Sequence, residues 1–410
     1  MLRRTFLFAA AAPALKIERV EAFVIRTPNV PVSEAELMAM YPQGALTGGT
    51  GLFNRLDFAS PSRSGRFSQA VLVKVTAGGI VGWGECHAPA APRVHKTIVE
   101  DMLRPVLLGA DSRDVEALWD RMYSTQRLRG YSTGFYTEAI AGVDLALWDI
   151  LGKYMNQPLY RILGGKYRDK IPTYLGVGGS SIEALKESAA KAMSQGFAAV
   201  KMGLGKGAGT RDMARVAAVA ETVKGKGQLL LDSLGAFKLH EAVTLGRELD
   251  RIGGIGWWED ALMPEDTISY PKLADAMDTA IVAGETLSNR FQFRDLFLAK
   301  SVDIVNPDVC RAGGITECRK IAILADAHSV LWSPHVSTGT APYMSASIHL
   351  AAATPNCVIM EGGNKHEGPM GNALLKEPLE YFPGYAKPSD RPGLGVEFDE
   401  KALAKIIVAS

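Results

Sequence analysis

Seven ionisable residues from Lys201 to Glu361 each come at the end of a short apolar run, and their spacing restricts the fold more than any other feature. Lys201 follows Ala199-Val200, Asp232 follows Leu229-Leu230-Leu231, Glu259 follows Trp257-Trp258, and Glu285 follows Ile281-Val282-Ala283-Gly284. Asp308 follows Ile304-Val305-Asn306-Pro307, His335 comes three residues after Val330-Leu331-Trp332, and Glu361 follows Val358-Ile359-Met360. The intervals between them are 31, 27, 26, 23, 27 and 26 residues. A strand, its loop and the helix that follows take roughly 30 residues in a β/α repeat. In an eight-stranded β/α barrel the carboxyl ends of all strands surround one mouth. The spacing therefore predicts that seven residues far apart in sequence share one cavity. A purely structural account, in which each caps the next helix, suits aspartate but not lysine or histidine.

A barrel of about 250 residues leaves room in a chain of 410 for one further domain. The expected division is a leader over 1–14, an N-terminal α+β capping domain over 15–165, the barrel over 166–373, and a C-terminal segment over 374–410 that packs back on the cap. Alternating, β-branched stretches at Ile17–Ile25, Ala70–Val75 and Ile80–Trp83 predict antiparallel strands in the cap. Helical periodicity follows over Val94–Leu108, Asp114–Thr125 and Tyr136–Tyr154, and Ile171–Leu175 reads as the first barrel strand. The Gly-, Ser- and Arg-rich stretch Pro42–Arg66 is long for a loop, and is either a lid bringing Arg55, Arg63 or Arg66 to the mouth or a solvated segment. At the start, Arg3-Arg4-Thr5-Phe6-Leu7 followed by an alanine run resembles a twin-arginine export signal, the alternative being a cytoplasmic protein with a frayed tail.

A net charge of +1, with both signs mixed along the chain, gives no footprint for nucleic acid and no polybasic membrane patch. Cys86, Cys310, Cys318 and Cys357 lack zinc-site spacing and read as packed thiols. Asp232, Glu259 and Glu285 form an oxygen donor set suited to a hard divalent ion, for which Mg²⁺ is the expected occupant. Without a cation these acids would repel and raise one another's pKa. Asp260 follows Glu259 directly; alternation along a strand turns only one of the two to the mouth, and Glu259 is the expected one. An organic acid held by such an ion can lose the proton on its adjacent carbon to a base that works near neutrality. His335 is the candidate, with Asp308 to orient its ring. The other six histidines, His87, His95, His240, His328, His349 and His366, do not fall at strand ends, and His87 reads as structural or at the rim.

Further stretches carry a resemblance. They are Ala139-Ile140-Ala141-Gly142-Val143-Asp144-Leu145-Ala146-Leu147-Trp148-Asp149 with Gly152-Lys153 and Pro158-Leu159, then Ala283-Gly284-Glu285 and Pro307-Asp308 with Gly313-Gly314-Ile315-Thr316. Ser333-Pro334-His335 and Pro392-Gly393-Leu394-Gly395 complete the series. In this order they resemble the enolase superfamily and, within it, the mandelate racemase subgroup. The resemblance implies a (β/α)8-type, modified TIM barrel with a capping domain completed by the C-terminal tail, and a symmetric homo-oligomer. It implies Asp232, Glu259 and Glu285 as Mg²⁺ ligands, His335 with Asp308 as acid/base, and Glu361 hydrogen-bonding the substrate carboxylate or its enediolate. Racemases of the subgroup carry Lys-x-Lys at the second strand; here the stretch is Lys201-Met202-Gly203, so Lys201 remains to neutralise the substrate carboxylate and the second lysine is absent. Leu234 stands where many relatives have Asn.

Glycine transfers no proton, so a reaction needing catalysts on both faces loses one of them. Dehydration needs one: a single histidine can take the α-proton and protonate the departing β-hydroxyl. The expected activity is a Mg²⁺-dependent dehydratase that converts an aldonate or aldarate to a 2-keto-3-deoxy sugar acid. The alternatives are a racemase or epimerase of a 2-hydroxy acid, with Lys201 working on the second face, and an inactive relative that only binds sugar acids.

Overall fold

The computed structural model describes residues 13–28, 45–47, 55–57, 68–89, 91–205 and 210–408. Most of the leader and Arg63 and Arg66 lie outside the described residues; within the 42–66 stretch, β2 (Ala45–Thr47) pairs antiparallel with β3 (Arg55–Asp57).

The cap is built on three antiparallel strands, β1 (Ile17–Thr27), β4 (Ser68–Ala77) and β5 (Ile80–Cys86), with β4 in the middle. They pack on the helix Phe135–Met155, which is apolar on nearly every side because it is enclosed by the sheet and the barrel. Gly84 permits the close approach: a β-carbon there would overlap the Gly142 carbonyl oxygen of that helix.

The barrel strands are β6 (Ile171–Gly176), β7 (Ala199–Gly203), β8 (Gln228–Asp232), β9 (Ile255–Glu259), β10 (Ile281–Ala283), β11 (Ile304–Val305), β12 (Leu331–Trp332) and β13 (Met360–Glu361). A helix follows each of the first seven, and consecutive strands pair in parallel from β6 to β12. Pairing of β13 with β6 and a bridge from Trp332 to Cys357 join the two ends of the series. Tyr174, Ala199, Leu230, Trp257, Val282, Ile304 and Ile359 point inward and form a core separate from the main one, so the interior is filled. Register then sets the mouth. Gly203 lies beside Asp232, Asp232 beside Glu259, and Asp308 bridges His335. After the barrel, β14 (Tyr381–Phe382) and β15 (Tyr385–Ala386) form a hairpin against β6. The chain returns to the cap, where Phe398 meets Trp83 edge-on at 5.0 Å and Val408 donates its N–H to the Val24 carbonyl.

Cap and barrel are joined behind the β11 loop. Trp119 Nε1 donates to the Gly313 carbonyl at 2.6 Å. Asp144, on the long cap helix, accepts from the Thr316 N–H at 3.0 Å and its hydroxyl at 2.6 Å, capping the barrel helix Ile315–Ala327. Gly314 sits at φ 96° with Asp144 Oδ2 in the place of any β-carbon. Gly314→Ala is expected to destabilise the protein by roughly 2–3 kcal/mol through left-handed strain and that overlap. A denaturant midpoint equal to that of the unaltered protein would contradict the overlap.

Candidate active site

The seven residues singled out from spacing stand together at the mouth. Lys201 Nζ lies 3.0 Å from Asp232 Oδ2, 3.3 Å from Glu259 Oε2 and 3.5 Å from Glu361 Oε1. Burial alone would lower the Lys201 pKa, but Tyr174, Glu259, Glu361 and Asp232 around it hold it well above the ordinary lysine value. It is a fixed cation. Glu259 accepts from Asn306 Nδ2 at 2.8 Å. Burial pushes Glu259 up to about 8; Lys201 opposes the rise, and Asp232, Glu361 and Glu285 add to it. Asp232 Oδ1 accepts the Leu234 N–H at 3.2 Å, in a turn that holds Leu234 at φ 46° with its side chain exposed at the surface.

Asp260, at φ 44° directly after β9, is buried as well. Burial first, then Glu285, Glu259 and Asp232, raise its pKa well above the usual carboxylate range.

Among the described residues no three acidic, histidine or cysteine side chains surround a single point at ion-binding distance. Lys201 lies between Asp232 and Glu259 instead, and Glu285 Oε2 lies 3.1 Å from His335 Nε2. The donor chemistry nonetheless fits a hard divalent ion: all-oxygen donors on consecutive strands, with the electrostatic repulsion that a cation would relieve.

On the other side of the mouth His335 Nδ1 is 2.6 Å from Asp308 Oδ2. Asp308 Oδ1 accepts the Cys310 N–H at 2.8 Å, and the Tyr343 hydroxyl donates to Oδ2. Burial would raise the Asp308 pKa, yet the hydrogen bond and charge of His335 bring it down to about 2. With Nδ1 bound to Asp308, His335 Nε2 lies 3.1 Å from Glu285 and 3.4 Å from Glu361. Burial would lower the His335 pKa; Glu285, Glu361 and Asp308 together raise it above its ordinary value.

Tyr343 has no signal in the sequence. It lies within the apolar helix Ala341–Ala353 and reads as core, but its hydroxyl accepts the Ser337 N–H at 2.7 Å and donates to Asp308. Tyr343→Phe is expected to lower kcat about 10–100-fold, the usual cost of losing an orienting partner. Full activity in a folded variant would show that Asp308 needs no such support. The cap also reaches this region. Glu85 Oε2 accepts from the Thr340 N–H at 2.7 Å and from its hydroxyl, while burial pushes Glu85 up to about 8. His87, buried in the cap, has its Nε2 3.1 Å from Arg311 Nη2.

The capped β/α barrel thus brings buried acids and an imidazole–carboxylate pair together at one mouth. Residues 184–402 match the family described as Enolase C-terminal domain-like, and residues 61–164 match the Mandelate racemase / muconate lactonizing enzyme N-terminal domain. The chain belongs to the enolase superfamily, in its mandelate racemase group. It is 35% identical over 374 residues to the D-galactarolactone cycloisomerase of Agrobacterium fabrum, covering 86% of this chain and 96% of that one. It is 32% identical over 338 residues to the D-galactonate dehydratase of Verminephrobacter eiseniae, covering 79% and 87%. Among solved structures, the 3,6-anhydro-D-galactonate cycloisomerase of Zobellia galactanivorans superposes with a TM-score of 0.78 at 30% identity, over 96% of this chain and all of that one. A member of the enolase superfamily from Agrobacterium tumefaciens gives 0.82 at 26% identity, over 96% and 99%.

Proposed function

We propose that this protein is a Mg²⁺-dependent dehydratase of an aldonic or aldaric acid. The observation that carries the reading is the Asp308–His335 pair: Asp308 holds Nδ1, Nε2 lies beside Glu285, and position 203 holds glycine, which transfers no proton. Asp232, Glu259 and Glu285 would hold the Mg²⁺, which supplies Lewis-acid stabilisation of charge developing on the substrate carboxylate. Lys201 gives a fixed positive charge beside it. His335 Nε2 takes the proton from the carbon next to the carboxylate, Asp308 supports the imidazolium, and the same nitrogen returns a proton to the β-hydroxyl as it departs. Loss of water leaves an enol, which becomes the 2-keto-3-deoxy acid.

The likeness to a galactarolactone cycloisomerase favours a second reading at the same site. If the β-oxygen belongs to a lactone ring, the same proton removal and C–O cleavage open the ring without releasing water. One experiment separates them: the Mg²⁺-loaded enzyme is incubated in D₂O with aldonic acids, aldaric acids and their lactones, and the products are followed by NMR. Keto acid from the open-chain acids supports dehydration, and keto acid from lactones alone supports ring opening. Deuterium in recovered acid without keto acid would overturn both in favour of epimerisation, and binding without any product would mark an inactive relative.

A symmetric homo-oligomer goes with this reading, and a monomeric mass by light scattering would remove it. Export through the arginine-pair leader is likewise proposed; a mature chain retaining Met1 would contradict it.

A further inference from the structure

The segment that carries His335 is held at its far end by the other domain. Thr340 lies five residues after His335 and begins the helix Ala341–Ala353. It makes no cap hydrogen bond within that helix; its N–H and its hydroxyl both donate to Glu85 Oε2, on the cap strand β5. Glu85, Thr340 and Tyr343 are all fully buried. No slack is left between them: a β-carbon at Gly339 would overlap the Tyr343 ring and Glu85 Oε1 together.

Glu85 stands on a rigid support. It pairs with Leu72 on β4, the central strand of the cap sheet, and the neighbouring Gly84 packs against the helix Phe135–Met155. From there one series of contacts runs to the imidazole. Thr340 fixes the start of its helix; Tyr343, one turn on, accepts the Ser337 N–H at 2.7 Å and donates to Asp308; Asp308 holds His335 Nδ1 at 2.6 Å. Ser337 is two residues from His335, so the same hydroxyl ties down the histidine's own segment. Adhesion between domains would be served at lower cost by an apolar side chain, because among the described residues Glu85 Oε1 is buried without a partner. What a carboxyl group adds is direction: a hydrogen bond fixes distance and angle, as a reacting pair requires.

We propose that Glu85 is a positioning residue for the acid/base: through Thr340 and Tyr343 it sets the orientation of Asp308 and His335, so that the cap completes a catalytic pair carried by the barrel. The proposal rests on the reading of Asp308 and His335 as the acid/base, and deepens it.

The test uses the full-length protein with Glu85→Ala, Glu85→Gln and Thr340→Val. The proton in the short bond between Nδ1 and Asp308 resonates far downfield in ¹H NMR, and its signal is assigned by its disappearance in His335→Asn. Glu85→Ala is expected to shift or broaden that signal. In the Mg²⁺-loaded enzyme it should lower kcat for the acid turned over fastest about 10–100-fold, the usual cost of losing an orienting partner, with KM changed less than about threefold. Glu85→Gln keeps an acceptor for Thr340 and copies the neutral form that burial favours, Glu85 being pushed up to about 8, so it should restore the signal and most of the rate. Thr340→Val removes the hydroxyl and leaves the N–H on Glu85; it should act in the same direction, and carries the test if Glu85→Ala does not fold. Combined, the two should cost little more than Glu85→Ala alone, since they remove one shared interaction. A lower denaturant midpoint with signal and kcat unchanged would mean that Glu85 only joins the domains, and a glutamine variant as impaired as the alanine one would mean that its charge acts directly; either overturns the proposal. If the unaltered enzyme turns over no acid, the dehydratase reading fails, and the downfield signal alone decides whether Glu85 positions the pair.

Discussion

His335→Asn is expected to lower kcat by about 10²–10⁴-fold, the contribution of a positioned general acid/base. Asparagine keeps a polar group beside Asp308 but has nothing at the place of Nε2, the nitrogen 3.1 Å from Glu285 and 3.4 Å from Glu361. Exchange of the α-proton with D₂O should fall by the same factor as keto-acid formation, because one nitrogen serves both steps. If exchange persisted while elimination stopped, a second group would be removing the proton. Lys201 would be the first suspect, since its ammonium already lies among Asp232, Glu259 and Glu361.

The second large effect is on stability. Mg²⁺ at a hundred times its dissociation constant is expected to stabilise the fold by about 2.7 kcal/mol, by mass action on a site that only the native state possesses. Without metal, pH dependence should show the strain of the acidic cluster. Glu259 titrates at about 8 in the fold, against roughly 4.3 in an unfolded chain. Between those values the native state holds the extra proton, so stability falls as pH rises through the window, and the penalty is complete above it. Glu259→Gln should remove this part of the slope and nearly abolish the Mg²⁺-induced rise in melting temperature. Glu85, also pushed up to about 8, and Asp144, pushed up to about 7, contribute slopes of the same sign that the substitution leaves in place, so the difference between the two proteins reports Glu259 together with Asp260, whose pKa Glu259 helps to raise. A metal-induced shift that survives Glu259→Gln unchanged would place the ion elsewhere.

Periodic features of the fold were open to reading because they repeat. Apolar runs some 27 residues apart recur as parallel strands, and strands in parallel register put their last residues on one level. That is why Asp232, Glu259, Asp308 and His335 could be grouped before any contact was known. Lys365, which pairs with Glu361, escaped because it lies in a 3₁₀ turn beyond the last barrel strand, where no periodicity says which way a side chain faces.

Local order along the chain thus determined the barrel, its cap and the residues that ring the mouth, since each follows from the pattern of apolar runs and the residue that ends them. Tertiary structure alone decided what those residues touch. Tyr343 reaching Asp308, Lys201 entering the acidic cluster, Lys365 closing on Glu361, and Glu85 and His87 arriving from the cap are contacts between segments brought together by packing. The physical reason is that a hydrogen bond or ion pair depends on distances of a few ångströms across separate loops, and loop conformation leaves no period in the sequence.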